Sequence, residues 1–336
     1  MENKIKPLDA FTTLFHVLTL TAYYMAIPEP QTKTKRTLHY IYRVITVIIL
    51  LIYNLQHIIF VVKVFGDVDS MMEGLSILFT SLNVTYKLIT VNLNCDRISR
   101  LHDMLNDKMF SATCTKDEEY MKANKEQLNS LSRTINRTVT VIGIFWLLTP
   151  FLERFTNGNV ILPAYFPFST DNWIGFSCAS IWLTFVIIWI GYGHMTLNIL
   201  ITGYYSQAKV QLSIIRYHLE HLADNDSYVT DISDAVNVND HIRCLLLVKF
   251  YHLLTDRSRF SKELESIMSK AMLVQFVGST AIVCSVVFKM TGLPFNTSFI
   301  YVLLYLGCLL LELYMYCYYG TLLKYEVSTG IGTYLY

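Results

Sequence analysis

The sequence predicts an all-α, polytopic transmembrane helical bundle of six spans, with long helical extensions beyond the membrane on one side. Three observations carry this. Hydrophobic residues make up 53% of the 336 positions, and only 16% are charged, against about 25% in soluble domains. The apolar residues collect in blocks long enough to cross ~30 Å of hydrocarbon, rather than alternating or forming one helix face. The basic residues, finally, are concentrated in alternate inter-block segments.

Residues 1–37 form an amino-terminal segment. Its stretch from Phe11 to Met25 is moderately apolar but contains His16 and has no convincing cleavage site, so it reads as a helix lying against the membrane rather than a signal peptide. Residues 38–336 form the transmembrane unit. Span 1 covers about 38–65, with the β-branched and leucine run from Val44 to Tyr53 at its centre. Span 2 covers about 71–93 and carries Tyr86 and Lys87 within apolar sequence. Span 3 covers about 138–155, after a polar approach from Asn129 to Arg137. Span 4 covers about 173–204, span 5 about 271–290 and span 6 about 299–319. The segments 94–137 and 206–270 are long and charged, yet they keep helical periodicity: Leu101, Met104 and Leu105 recur on one face, as do Leu212, Ile215 and Leu219. Spans 4 and 5 are therefore expected to continue as helices past the bilayer.

Orientation follows from charge. Six basic residues precede span 1 through Arg43, eight lie in each long segment, and Lys324 is in the tail, so 23 of the 27 lysines and arginines share one side. The alternate loops hold Arg154 alone. The positive-inside rule places both termini and both long segments in the cytoplasm. Of the four glycosylation sequons, at Asn83, Asn136, Asn225 and Asn296, only Asn296 is expected outside.

Several function classes drop out. HExxH, GxSxG and phosphate-cradling glycine loops are missing, and no Cys/His spacing suggests zinc. The expectation is no enzyme, no cofactor and no metal. The bases are spread over membrane-adjacent segments and do not form a nucleic-acid platform. Within the spans, Lys87 either snorkels to an interface or faces a cavity or partner, and Glu312 either pairs within the bundle or lines a gate. Abundant aromatics leave receptors, channels and transporters all open.

The run from Tyr314 to Leu323 resembles the signature of insect odorant receptors, an aromatic stretch with Cys leading into Gly-Asn and then Ser. The matching positions are Tyr316, Cys317, Tyr319, Gly320, Thr321 and Ser328, with Thr321 departing from the usual Asn. His252, Phe260, Leu264-Glu265, Gln275-Phe276, Ser279 and Cys284 stand at similar spacing. Pro163, Tyr165, Phe166, Pro167 and Trp173 look like the family's outer loop, and Asn198 stands where many members have Asp.

The resemblance implies a seven-span tuning subunit of a heteromeric cation channel, partnered by a shared co-receptor and gated by small hydrophobic odorants bound in the outward half of the bundle. It places the chain in the plasma membrane of olfactory sensory neuron dendrites. Depth and family architecture together nominate Tyr86, Phe145, Trp146, Trp182, Phe288 and Tyr305 as ligand-binding residues. The family continues for about fifty residues after the position of Ser328, through a pore-lining span 7. Here the sequence closes at Tyr336, so the expectation is a shortened form that does not conduct by itself. A gustatory receptor of the same architecture, and a transporter or non-conducting membrane interaction protein, are the competing readings.

Overall fold

A computed structural model describes residues 6–23, 33–107, 110–112, 114–158, 160–220, 235–292 and 297–332. A 3-10 turn, Pro7–Phe11, leads into α1, Thr12–Leu20. There follow α2 (Lys33–Lys63), α3 (Val68–Leu93), α4 (Cys95–Leu105), α5 (Thr115–Asn157), α6 (Trp173–Glu220), α7 (Ala235–Gly292) and α8 (Thr297–Gly332). Among the described residues, six of these helices are long and apolar enough to cross a membrane: α2, α3, α5, α6, α7 and α8. The all-α six-span bundle is thus the fold.

The outward faces show why the chain needs lipid. On α2, Ile41, Ile45, Ile48, Ile52, Leu55, Ile58 and Val62 are exposed at helical spacing, an apolar stripe that water would penalise. The centre is α6, which packs on α1, α5, α7 and α8. Every residue from Gly193 to Tyr204 is buried, the polar His194, Thr196, Asn198 and Thr202 among them.

The helices overrun the spans. α5 continues from its apolar half back to Thr115 as one 43-residue helix, so the polar approach to span 3 is an extension in its own right. α6 and α7 run 48 and 58 residues, as the periodicity of the long segments predicts. Asn94 interrupts the chain between α3 and α4. The tight α2–α3 link turns at Gly66 (φ 112°), and α5 ends at Gly158 (φ 77°), a left-handed conformation that glycine adopts without a Cβ penalty.

The amino-terminal helix spends its apolar face on protein. Phe11, Leu14 and Leu18 are buried, and the Phe11 ring lies 5.1 Å from that of Tyr204 on α6. Asn296 lies outside the described residues.

Candidate functional site

The span helices line a partly open cavity of about 140 Å³. α2 contributes Tyr53, α3 contributes Thr80 and Val84, α5 contributes Gly143 and Trp146, α6 contributes Ile188, His194 and Met195, and α8 contributes Tyr305 and Glu312. Its walls are mainly aliphatic. Gly143 lets α5 approach α6 closely: a Cβ there would stand 2.5 Å from Ile188 Cγ1.

Polar groups are few and placed. The Thr80 and Tyr305 hydroxyls are hydrogen-bonded at 2.6 Å, tying α3 to α8. The Tyr53 hydroxyl is buried without a partner among the described residues. This is the pattern of a small-molecule site, apolar walls with a small number of orienting groups.

At one end the cavity meets a buried charged cluster. Lys87 is 2% exposed and Glu312 3%, and Lys87 Nζ stands 3.1 Å from Glu312 Oε1. Lys87 also donates to Asn198 Oδ1 at 2.7 Å. Asn198 Nδ2 donates to Glu312 Oε1 at 2.6 Å, and the Tyr316 hydroxyl donates to Asn198 Oδ1 at 2.8 Å. His194 Nε2 stands 3.0 Å from the same carboxylate oxygen. Lys87 therefore does not snorkel. Buried ions survive only when paired and hydrogen-bonded, and three helices converge here to meet that condition.

Of the nominated ligand residues, Trp146 and Tyr305 line the cavity. Tyr86 is 37% exposed and Phe288 47%, both on outward faces. Phe145 is half-buried beside Trp146. Trp182 donates through its indole Nε1 to Gln56 Oε1 at 3.2 Å, between α6 and α2. Tyr316 belongs to the charged cluster, and Tyr319 accepts from Gln127 Nε2 at 3.2 Å. Cys317, Gly320 and Thr321 are exposed, while Ser328 lies near the end of α8. Sequence reasoning passed over Tyr53, Thr80 and His194. The available signal was the polar pair His194 and Asn198, four residues apart on one face of an apolar run.

A model of the 7tm odorant receptor family matches residues 67–329. This chain belongs to the insect odorant receptor family. Its fold is that of a solved receptor, "the insect olfactory receptor OR5 from Machilis hrabei", with a TM-score of 0.80 at 13% identity, covering 96% of this chain and 81% of that one. The structure of the same receptor in complex with eugenol gives a TM-score of 0.74, again at 13% identity, covering 96% of this chain and 80% of that one. No curated protein matches the sequence. An odorant-receptor fold is that of a non-catalytic receptor and channel family, so the chain is a membrane receptor rather than an enzyme.

Proposed function

We propose that this odorant receptor binds small, mostly apolar volatile molecules in the cavity between α2, α3, α5, α6 and α8, and that with a co-receptor subunit it gates a cation channel in the plasma membrane of olfactory neurons. The observation that supports this is the cavity itself, lined mainly by aliphatic side chains and supplied with the Thr80, Tyr305 and Tyr53 hydroxyls. Its size sets the scale of the ligand. A protein cavity of about 150 Å³ takes benzene, so a benzene-sized ring matches the 140 Å³ here, and substituents would extend through its open side. The eugenol in complex with the Machilis receptor is a larger member of this chemical class, an aromatic ring with oxygen substituents.

Two measurements separate binding from gating. The purified chain in detergent is titrated with monocyclic oxygenated volatiles, eugenol among them, while tryptophan fluorescence is followed. Saturable quenching that is lost in Trp146→Phe locates the ligand beside Trp146. Co-expression with the co-receptor, under voltage clamp, reads cation current. Absence of saturable binding across a broad volatile panel would sink the ligand assignment. Binding without current, in the presence of the co-receptor, would remove the channel half and leave a non-conducting receptor.

A further inference from the structure

We propose that Cys114, Asp117 and His218 form a zinc-binding site that joins the first turn of α5 to the far end of α6. No spacing in the sequence announces it, because Asp117 and His218 are 101 residues apart. The bundle brings them together. One ligand atom from each of the three residues lies within 4.8 Å of the other two, and they are the one such cluster among the described residues.

The distances suit a shared ion. His218 Nε2 stands 3.0 Å from Asp117 Oδ1 and 3.2 Å from Oδ2. Two such atoms on one tetrahedral zinc, each about 2.0–2.1 Å from the metal, are separated by about 3.3 Å. The Cys114 sulfur, which caps the Asp117 amide at the start of α5, already stands within 4.8 Å of the other two ligand atoms, against about 3.6 Å between sulfur and nitrogen on one zinc.

The donor set selects the metal. Thiolate, imidazole and carboxylate together suit zinc better than the hard cations calcium and magnesium, which take oxygen. Cys114 is the cap and Asp117 the third residue of α5, and the positive end of a helix dipole favours the two negative ligands. Asp117 also accepts the Cys114 amide through Oδ2 at 3.3 Å. A carboxylate has about four lone-pair sites, so Asp117 can keep the cap through Oδ2 while the ion takes the place of the proton between Oδ1 and His218 Nε2. Asp117 is 1% exposed, while Cys114 and His218 are half-buried. The half-exposed side admits a water as the fourth ligand. Binding displaces the thiol proton and any proton held between His218 and Asp117.

The site is tested on the purified 336-residue chain in detergent, stripped with chelator and titrated with cobalt(II) as a spectroscopic probe, then with zinc(II). The expected result is one saturable equivalent, a thiolate-to-cobalt charge-transfer band, and displacement by zinc. Cys114→Ser abolishes that band, and His218→Gln weakens binding at least tenfold. On the unaltered chain, zinc slows alkylation of Cys114 relative to Cys317, read by mass spectrometry, so the test does not depend on any variant folding. No saturable cobalt signal together with no protection of Cys114 overturns the proposal. So does a signal that both variants leave unchanged.

Discussion

Lys87 and Glu312 were visible in the sequence as two polar interruptions of apolar runs, but their partnership was not, because 225 residues separate them. Only the bundle, which brings side chains of α3, α6 and α8 together at this point, decides that each is the other's counter-ion. A buried pair of this kind is costly to halve. Lys87→Met leaves the Glu312 carboxylate in the bundle with Asn198 and His194 alone, and is expected to destabilise the receptor by about 3–5 kcal/mol. Lys87→Met combined with Glu312→Met is expected to recover most of that loss. Thermal unfolding in detergent checks it: a double variant no more stable than the single one would mean that the pair is not the unit. The nominated aromatics divide on the same principle. Trp146 and Tyr305 face the cavity while Tyr86 and Phe288 face outward. A span apolar on every side gives no periodic signal from which to read that phase. Tyr305→Phe keeps the ring and removes the hydroxyl bonded to Thr80. Response to oxygenated ligands should weaken by about tenfold or less, the worth of one neutral hydrogen bond, while response to hydrocarbons of the same shape is retained. Dose–response curves for matched pairs of ligands make the comparison.

At the scale of elements, the spans were legible because their length and composition are set by the bilayer, and the extensions of α6 and α7 because their periodicity survives outside it. The seating of α1 was not legible, since the same apolar face serves lipid or protein equally well. Its position rests on close approaches. A Cβ at Gly193 would stand 2.3 Å from the Tyr23 ring, whereas one at Gly307 meets nothing within 4 Å. Gly193→Ala is therefore expected to cost about 1–3 kcal/mol by overpacking. Gly307→Ala should stabilise α8 by about 0.5–1 kcal/mol through reduced chain entropy. Equal effects of the two on melting temperature would show that Tyr23, three residues past the end of α1, is not seated on α6. α4 brings a pH dependence with it. His102 is buried beside Tyr204 and Phe15, and burial holds its imidazole down at about 4, against an ordinary 6.5. The unfolded chain takes up a proton below about pH 6.5 and the folded chain only near pH 4. This contribution to stability is intact above that window and is lost as pH falls through it. Melting temperature should drop between those values, and His102→Phe should flatten the slope whatever it does to the absolute stability.

For the whole molecule, the apolar stripe of α2 and the buried run of α6 establish a bilayer-spanning bundle but do not say which end is inside, because a hydrophobic girdle is symmetric about the membrane plane. Charge breaks the symmetry. Eight lysines and arginines sit in each of the segments 94–137 and 206–270, whereas the links at the other end hold Arg154 alone. Arg154 is itself buried, donating to the Thr170 carbonyl at 2.9 Å and packed over Phe176, and the two lysines at the helix ends nearby are also engaged, Lys63 over the Tyr165 ring and Lys289 with Glu73. On the positive-inside rule we propose that the amino terminus, α4 and the long parts of α5, α6 and α7 face the cytoplasm. An epitope at the amino terminus should be reached by antibody only after cells are permeabilised. One inserted at Gly158, where a side chain would meet open space, should be reached on intact cells. The opposite pattern would invert the bundle. It would also turn the α5–α6 link away from the side on which odorants arrive, so the same experiment bears on whether the cavity can be filled from outside.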